Sequence, residues 1–162
     1  MLRRFPFQKH EQGSLALFRQ ASVRIKDRIT LFDFEKNKQL LQELKRVIDA
    51  VSYDKGETLK IVVGSSAIKL FMDEGSKDII SDLTKRFTLR NSYTNISEIS
   101  MLFPEEAIET KGIISFISRE LYLNDVLILE MLTATPELLI YVKGNAVLKA
   151  YQVIKRLAGA EV

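Results

Sequence analysis

The sequence contains no cysteine, and its only histidine is His10. Without cysteine, the chain can form no disulfide, no thiolate metal site and no cysteine nucleophile. A single histidine also leaves no material for a Ser-His-Asp triad or a histidine metal site. Because no nucleophile–base pair or set of metal ligands can be assembled, we predict a protein with no catalytic residues, no metal and no cofactor, and therefore not an enzyme.

Long apolar runs are also absent, and no stretch approaches the roughly 20 apolar residues of a membrane helix. The first residues, MLRRFPFQKHEQGS, carry charges but lack the apolar segment of a secretory signal. Hydrophobic residues make up 46% of the chain and charged residues 28%, which is typical of a globular protein. We therefore expect a soluble, cytoplasmic protein that does not contact a membrane.

Neither sign of charge dominates, because the formal net charge is only +3. Basic residues are nevertheless concentrated near the start of the chain. This balance permits contact with nucleic acid but does not predict it. A regulator that bound nucleic acid through this basic arm would use Arg3, Arg4 and Lys9 to contact phosphates, with a steep salt dependence. We retain this as an alternative function.

Apolar periodicity divides the chain into strands and helices. From Val23 to Leu31 apolar residues recur at every second position, which predicts a half-buried strand, and Asp27 breaks the alternation as a bulge or a solvated end would. Between Glu35 and Val51 the apolar spacing of three and four residues predicts an amphipathic helix. Further strands are predicted over 59–63, 67–72, 95–103, 126–132 and 137–142, and further helices over 14–20, 76–86, 112–121 and 145–157.

These elements repeat when the sequence is shifted by about 70 residues. Each half then follows the order βαββα, which favours a ferredoxin-like arrangement. We predict an α+β fold of two tandem ferredoxin-like βαββαβ units, with antiparallel sheets and helices on one face. The predicted boundaries are 1–21 for an N-terminal arm with a short helix, 22–92 for the first unit and 93–162 for the second.

Four segments of the second unit carry a family resemblance: ISEISMLFP, IETKGIISFISREL, NDVLILEMLTATPELLIYV and NAVLKAYQVIKRL. In this order they resemble the ACT domain, the small ligand-sensing module of amino-acid metabolism, in its archaeal or aspartokinase-like form. The first unit looks like a diverged ACT-like copy. The resemblance implies a non-enzymatic regulatory protein that senses an amino acid or a related small metabolite through paired ACT domains, and that forms a homodimer.

The resemblance also implies a ligand site at the interface between paired domains. In the family, the loop between the first strand and its helix and the start of the second strand form the pocket. Gly112 would allow close approach of the backbone, and the free N–H groups at the start of the helix would favour a carboxylate. The implied ligand-binding residues are Thr110, Lys111, Gly112, Ile113, Ile114, Asn124, Asp125, Val126 and Leu127.

A further alternative is an ACT-fold module that binds a partner protein or dimerises without any ligand. Leu127 stands where many ligand-binding members have a polar residue, and Lys111 stands where a proline often precedes the glycine. Both departures favour this alternative, because they remove features that the family uses to hold its ligand.

Overall fold

The computed structural model describes residues 16–159, which form an α+β fold with antiparallel strand pairs. The strands are β1 (Ser22–Glu35), β2 (Leu59–Val63), β3 (Ala67–Asp73), β4 (Leu89–Leu102), β5 (Glu130–Ala134) and β6 (Glu137–Lys143). The helices are α1 (Lys38–Ala50), α2 (Ser81–Arg86), α3 (Ile113–Leu123) and α4 (Val147–Leu157), and a short helical segment covers 16–20.

The chain divides into two compact units, and the sequence of one is inserted into the sequence of the other. One, the inserted unit, comprises residues 27–96, and the other, the split unit, comprises residues 16–26 and 97–159. Strands β1 and β4 each begin in one unit and end in the other. The boundaries predicted from the sequence, 22–92 and 93–162, differ from this division because they place the start of β1 with the first half of the chain.

The inserted unit follows the order βαββαβ, and its strands lie in the order β2-β3-β1-β4. Strand β3 is antiparallel to both of its neighbours, and Leu70 lies opposite Phe32 of β1 and Ile61 of β2. Alternate strand residues face the helices, so one core forms between the helices and the sheet. Its buried members are Phe32, Phe34, Leu40, Leu44, Val47, Val51, Ile68, Leu70, Met72, Ile80 and Leu83.

Helix α1 begins where the sequence supplies a cap. The side chain of Asn37 accepts hydrogen bonds from the backbone N–H groups of Gln39, at 2.7 Å, and Leu40, at 3.3 Å. These two N–H groups have no partner inside the helix, so the asparagine satisfies them. The predicted helix over 35–51 is confirmed, although it starts three residues later, at Lys38.

The split unit is built from both ends of its sequence. Its strands lie in the order β1-β4-β6-β5, with β5 and β6 forming an antiparallel hairpin. Residues before β1 contribute to its core, because the ring of Phe18 is fully buried and lies 5.4 Å from the ring of Phe103 and 5.6 Å from that of Phe116. The other buried members are Leu17, Ile99, Met101, Ile113, Ile117, Leu121, Val126, Leu138, Ile140, Val142, Val147, Ala150, Val153 and Ile154.

Each of the two long strands contains one left-handed residue close to the boundary between the units. Arg28 has φ = 59° and Asn95 has φ = 52°. Such a residue interrupts the alternation of side chains between the two faces of a strand. In β1, Val23 and Ile25 accordingly pack in the core of the split unit, whereas Phe32, of the other parity, is in the core of the inserted unit.

One sequence prediction needs a correction, and another concerns residues that lie outside the described part of the chain. The strand predicted over 126–132 begins only at Glu130, because residues 126–129 form a loop after α3. The basic residues Arg3, Arg4 and Lys9 lie outside the described residues, so their proposed contacts with phosphates stay a prediction. Across residues 16–159, no helix has the length and apolar character needed to cross a membrane.

Candidate functional site

A groove of about 340 Å³ lies in the split unit, where the chain leaves β4 and enters α3. One wall is formed by the loop before α3 and the first turn of that helix, and the other by the turn between β5 and β6. The lining is more apolar than polar. It consists of Phe103, Ala107, Ile108, Thr110, Gly112, Ile113, Ile114, Ser115, Thr133, Thr135, Pro136, Glu137 and Leu138.

Gly112 sets the direction in which α3 leaves the loop. Its φ of 92° is a conformation that side chains other than glycine rarely adopt, and it occupies the N-cap position of the helix. A Cβ atom placed here would meet nothing within 4 Å, so the requirement for glycine comes from the backbone and not from crowding. The carbonyl of Gly112 accepts the first helical hydrogen bond, from the N–H of Phe116 at 2.8 Å.

The first turn of α3 presents backbone donors to the groove. Among residues 16–159, no hydrogen bond reaches the N–H groups of Ile113, Ile114 and Ser115, and glycine at the cap provides no side chain to accept them. Unpaired N–H groups at a helix N-terminus carry partial positive charge and bind anions, including carboxylates. This wall can therefore hold a carboxylate group.

A backbone hydrogen bond joins the opposite wall to the end of β4. The N–H of Phe103, at the end of β4, donates to the carbonyl of Pro136 at 3.2 Å. The peptide bond between Thr135 and Pro136 is cis. Glu137 supplies the only charged residue of the lining, and the hydroxyl of Ser100 donates to its carboxylate. The sequence neighbours Met101 and Leu138 pack in the core on the helix side, so Ser100 and Glu137 lie on the other face of the sheet.

The loop before α3 combines a braced threonine with an exposed lysine. Thr110 donates a backbone hydrogen bond to the carbonyl of Ala107 at 3.1 Å and a side-chain hydrogen bond to the carbonyl of Glu106 at 2.8 Å. Its hydroxyl is thus engaged by the loop itself. Lys111 is exposed and does not line the groove. Of the predicted loop residues, the structure therefore brings Thr110, Gly112, Ile113 and Ile114 to the groove and leaves Lys111 beside it.

The remaining predicted residues lie at the other end of α3, about 16 Å away along an 11-residue helix. Asn124 ends the helix: its amide donates to the carbonyl of Glu120 at 2.8 Å and accepts from Arg156 at 2.9 Å. Val126 is buried in the core, whereas Leu127 is 64% exposed. Asp125 is exposed as well. Within one chain, these residues are not brought together with Gly112.

The second wall of the groove gives no signal in the sequence. Thr133, Thr135 and Pro136 lie between the strands predicted over 126–132 and 137–142, but nothing in their spacing indicates that this segment lies beside the loop after β4. That proximity follows from the position of β6 next to β4 in the sheet. Ile108 was missed too, because it stands in an acidic segment that reads as a solvated helix start.

A second groove, of about 280 Å³, lies in the inserted unit between α1 and the segment around α2. Its rim carries a network of exposed charges. Arg86 lies 3.2 Å from Glu43 and 2.9 Å from Asp82, and Arg46 lies 3.2 Å from Glu43. The hydrogen bonds from Arg46 and Arg86 lower the pKa of the Glu43 carboxyl below its usual value. These charges are exposed and paired with one another, so the network contributes little to stability and gives no specific indication of a ligand.

Across the described part of the chain, no group of three or more histidine, aspartate or glutamate side chains is arranged to hold a metal ion. The first groove has features suited to binding a small molecule. Backbone donors lie on one wall, threonine residues on the other, and apolar residues between them.

Known proteins resemble this chain in structure but not detectably in sequence. No protein-family model matches this chain, and no curated protein matches it at a significant level. An aspartate kinase of Clostridium acetobutylicum, described as an allosteric enzyme, matches with a TM-score of 0.69 and 16% identity over 84% of this chain and 34% of that chain. The ligand-free regulatory subunit of the aspartate kinase of Thermus thermophilus matches with a TM-score of 0.58 and 11% identity, over 83% and 95%.

A third structure is that of E. coli aspartokinase III in complex with lysine and aspartate, in the T-state. It matches with a TM-score of 0.55 and 12% identity, over 85% of this chain and 32% of that chain. The protein thus spans about a third of two aspartate kinase chains and nearly all of a regulatory subunit. At these identities the similarity shows the fold alone. That fold is the ACT-like α+β fold of aspartate kinase regulatory domains.

Proposed function

We propose that this protein is a non-enzymatic regulator that senses an amino acid, or a closely related small metabolite, in the groove beside Gly112. It requires no cofactor and acts as a homodimer. The observation that carries the proposal is the wall of α3, on which three backbone N–H groups without partners among the described residues line a groove of about 340 Å³.

The geometry supports a defined pose for the ligand. Its carboxylate accepts hydrogen bonds from the N–H groups of Ile113, Ile114 and Ser115, where the helix dipole favours negative charge. Thr133 and Thr135 line the other side of the groove, where their hydroxyl groups can supply polar contacts. The apolar residues between them enclose the rest of the molecule. A groove of this volume is at the small end of the range for ligand pockets, which suits a single amino acid.

The structural similarities support the same class of function. The regulatory subunit from Thermus thermophilus is covered over 95% of its length, so the match is to a regulatory part of an enzyme. E. coli aspartokinase III was solved in complex with lysine and aspartate, which shows an amino-acid ligand in a protein that contains this fold. Both facts favour an amino acid as the ligand of this chain.

Regulation would follow from thermodynamic linkage. A ligand that binds one arrangement of a protein more tightly than another shifts the population toward the first. The effect on any second site is reciprocal and amounts to typically about 1–3 kcal/mol of coupling free energy. In this protein the ligand would bias the loop before α3, because that loop and the helix start form one wall of the groove.

The test is a thermal-shift titration of the full chain against the twenty amino acids. A ligand that binds only the folded state stabilises it by about 2.7 kcal/mol at one hundred times its Kd. The variant Gly112→Ala strains the N-cap and tilts the N–H groups, so it should abolish the shift. Gly56→Ala is a matched control, because Gly56 also has a positive φ, of 76°, with nothing within 4 Å of an added Cβ.

Both glycine variants should lose similar stability from backbone strain, on the order of 1–2 kcal/mol. Only Gly112→Ala should lose the response to the ligand. If no amino acid at millimolar concentration raises the melting temperature of the wild-type protein, amino-acid sensing is refuted. If both variants keep the response, the ligand binds elsewhere.

A partner-binding module without ligand is the second candidate, and exposed apolar residues at the end of α3 favour it. Tyr122, Leu123 and Leu127 are 78%, 61% and 64% exposed. Large apolar side chains that cluster on a surface mark interaction sites more often than isolated ones do. The double variant Leu123→Ser/Leu127→Ser should then shift the protein from dimer to monomer in sedimentation equilibrium. An unchanged mass would remove the support that this cluster gives.

A further inference from the structure

Two isoleucines of the groove are far more exposed than the rest of its apolar lining. Ile108 is 56% exposed and Ile114 is 49% exposed. In contrast, Ile113, Phe103 and Leu138 are at most 8% exposed, because they pack into the core of the split unit. The two exposed isoleucines therefore form an apolar surface that the fold itself does not cover.

Their positions place this surface on the wall where the ligand carboxylate would bind. Ile108 precedes the loop that contains Gly112, and Ile114 lies in the first turn of α3. The N–H of Ile114 is one of the donors for the carboxylate. The side chain of an amino acid bound there starts at its Cα, one bond from the carboxylate carbon, so it is within reach of these two isoleucines.

The lining has no basic side chain, and its one carboxylate already accepts a hydrogen bond. Lys111 does not line the groove, and the carboxylate of Glu137 is engaged by Ser100 on the face away from the helices. An acidic ligand side chain would lose its hydration without gaining an ion pair, which is costly. An aliphatic side chain gains free energy from every methylene that it removes from water.

We infer that the ligand is an α-amino acid with an aliphatic side chain, of the size of valine or leucine, packed against Ile108 and Ile114. This inference rests on the proposed function, because it assigns the ligand class of the same groove. It makes Ile108 and Ile114 the residues that determine specificity, and it separates this protein from a sensor of lysine, threonine or aspartate.

The decisive comparison uses ligands of matched shape in NMR titrations of the full chain. Valine and threonine are nearly isosteric, so a difference in Kd reports the apolar character of the site. Valine should bind about 10- to 100-fold more tightly than threonine, because the hydroxyl loses water without a dedicated partner. In the series glycine, alanine, 2-aminobutyrate and valine, Kd should fall about fourfold with each added methylene.

Three variants assign the effect to the two isoleucines. Ile108→Ser and Ile114→Ser should each weaken valine binding by about 4- to 15-fold, which corresponds to one or two lost methylene contacts. Neither should change glycine binding by more than about twofold. Ile48→Ser is the control, because Ile48 is 43% exposed on α1 of the inserted unit and lines neither groove. It should leave every Kd unchanged.

The outcomes separate this inference from the proposed function. If threonine, lysine or aspartate binds as tightly as valine and the binding is lost in Gly112→Ala, the groove senses an amino acid but the aliphatic assignment is overturned. If valine binds and the isoleucine variants leave its Kd unchanged, the assignment is overturned as well. Absence of binding by every amino acid overturns both proposals.

Discussion

The pair formed by Tyr141 and Glu98 provides a sharp test of how the split unit is stabilised. Tyr141 is fully buried, Glu98 is 5% exposed, and the tyrosine hydroxyl donates to the glutamate carboxylate at 2.6 Å. The substitution Tyr141→Phe removes only the hydroxyl and leaves the ring in place. It therefore takes one donor from a buried carboxylate without opening a large cavity.

The expected cost at pH 7 follows from the charge on the acceptor. A hydrogen bond to a charged group contributes about 1.5–3 kcal/mol, and a buried carboxylate that loses a donor retains its desolvation cost. Tyr141→Phe should therefore lower the free energy of unfolding by about 2 kcal/mol. The corresponding change at an exposed tyrosine, Tyr122→Phe, should have an effect within about 0.5 kcal/mol, because Tyr122 is 78% exposed.

The same pair predicts a dependence on pH in the alkaline range. Burial, and after it the charge of Glu98, raises the pKa of the Tyr141 hydroxyl well above its ordinary value. A tyrosine in the unfolded chain ionises near pH 10, whereas Tyr141 stays protonated in the fold. The stabilisation is therefore fully present below pH 10 and is lost as the pH rises beyond it, because the unfolded chain then binds fewer protons.

This loss amounts to about 1.4 kcal/mol between pH 9 and pH 11 for one tyrosine. Urea unfolding of the wild type and Tyr141→Phe at pH 7, 9 and 11 measures it directly. The destabilisation caused by the substitution should shrink from about 2 kcal/mol at pH 7 to below 1 kcal/mol at pH 11. A difference that stays constant across this range would refute the reasoning, since it would mean that Tyr141 ionises equally in both states.

Two further substitutions test the stability of the split unit and of the inserted unit separately. Phe18→Ala should lower the free energy of unfolding by about 3–5 kcal/mol, because it removes a fully buried ring that contacts Phe103 and Phe116; a cost below 1 kcal/mol in urea unfolding would show that residues before β1 contribute little. Asn37→Ala should cost about 1 kcal/mol through the lost cap of α1, with Asn37→Ser retaining most of the stability. Equal losses in Asn37→Ala and Asn37→Ser would indicate that the lost cap is not the cause.

Elements that depend on local pattern could be predicted from the sequence. Strands β2 and β3 lie at 59–63 and 67–73, as the apolar runs around Gly64 indicated, and α3 lies where the spacing of its apolar residues placed it. The α+β class and the antiparallel pairing are confirmed as well. In each case the signal is contained in a window of a few residues, because hydrophobic period and turn residues determine the element.

The division into units could not be predicted in the same way. It depends on which segments pair across the sheet, and the start of β1 joins residues more than 70 positions further along the chain. The one local signal was Asp27, which breaks the alternation of β1 next to the left-handed residue Arg28. Arginine rarely adopts a positive φ, and asparagine adopts one more often but usually does not, so neither residue type predicts the interruption.

The candidate site shows the same limit. Gly112 and the first turn of α3 were implied by the resemblance to the ACT domain, and the structure places them on one wall of the groove. Asn124 also attracts notice in the sequence, but the structure uses its side chain to end α3 and to bond Arg156. Residues of the turn between β5 and β6 reach the groove only through the order of strands in the sheet, which no local pattern reports.

The interrupted sequence of the split unit has a consequence for synthesis on the ribosome. The inserted unit is contiguous, so it can fold as soon as residues 27–96 have emerged. Residues 16–26 must wait until residues 27–159 have been added, which takes about 7–27 s at typical elongation rates. During this interval their apolar side chains are without their core, and a strand edge is open to other chains. Protease protection of nascent chains should therefore appear first over 27–96, and a chaperone that binds the first residues would act within this interval.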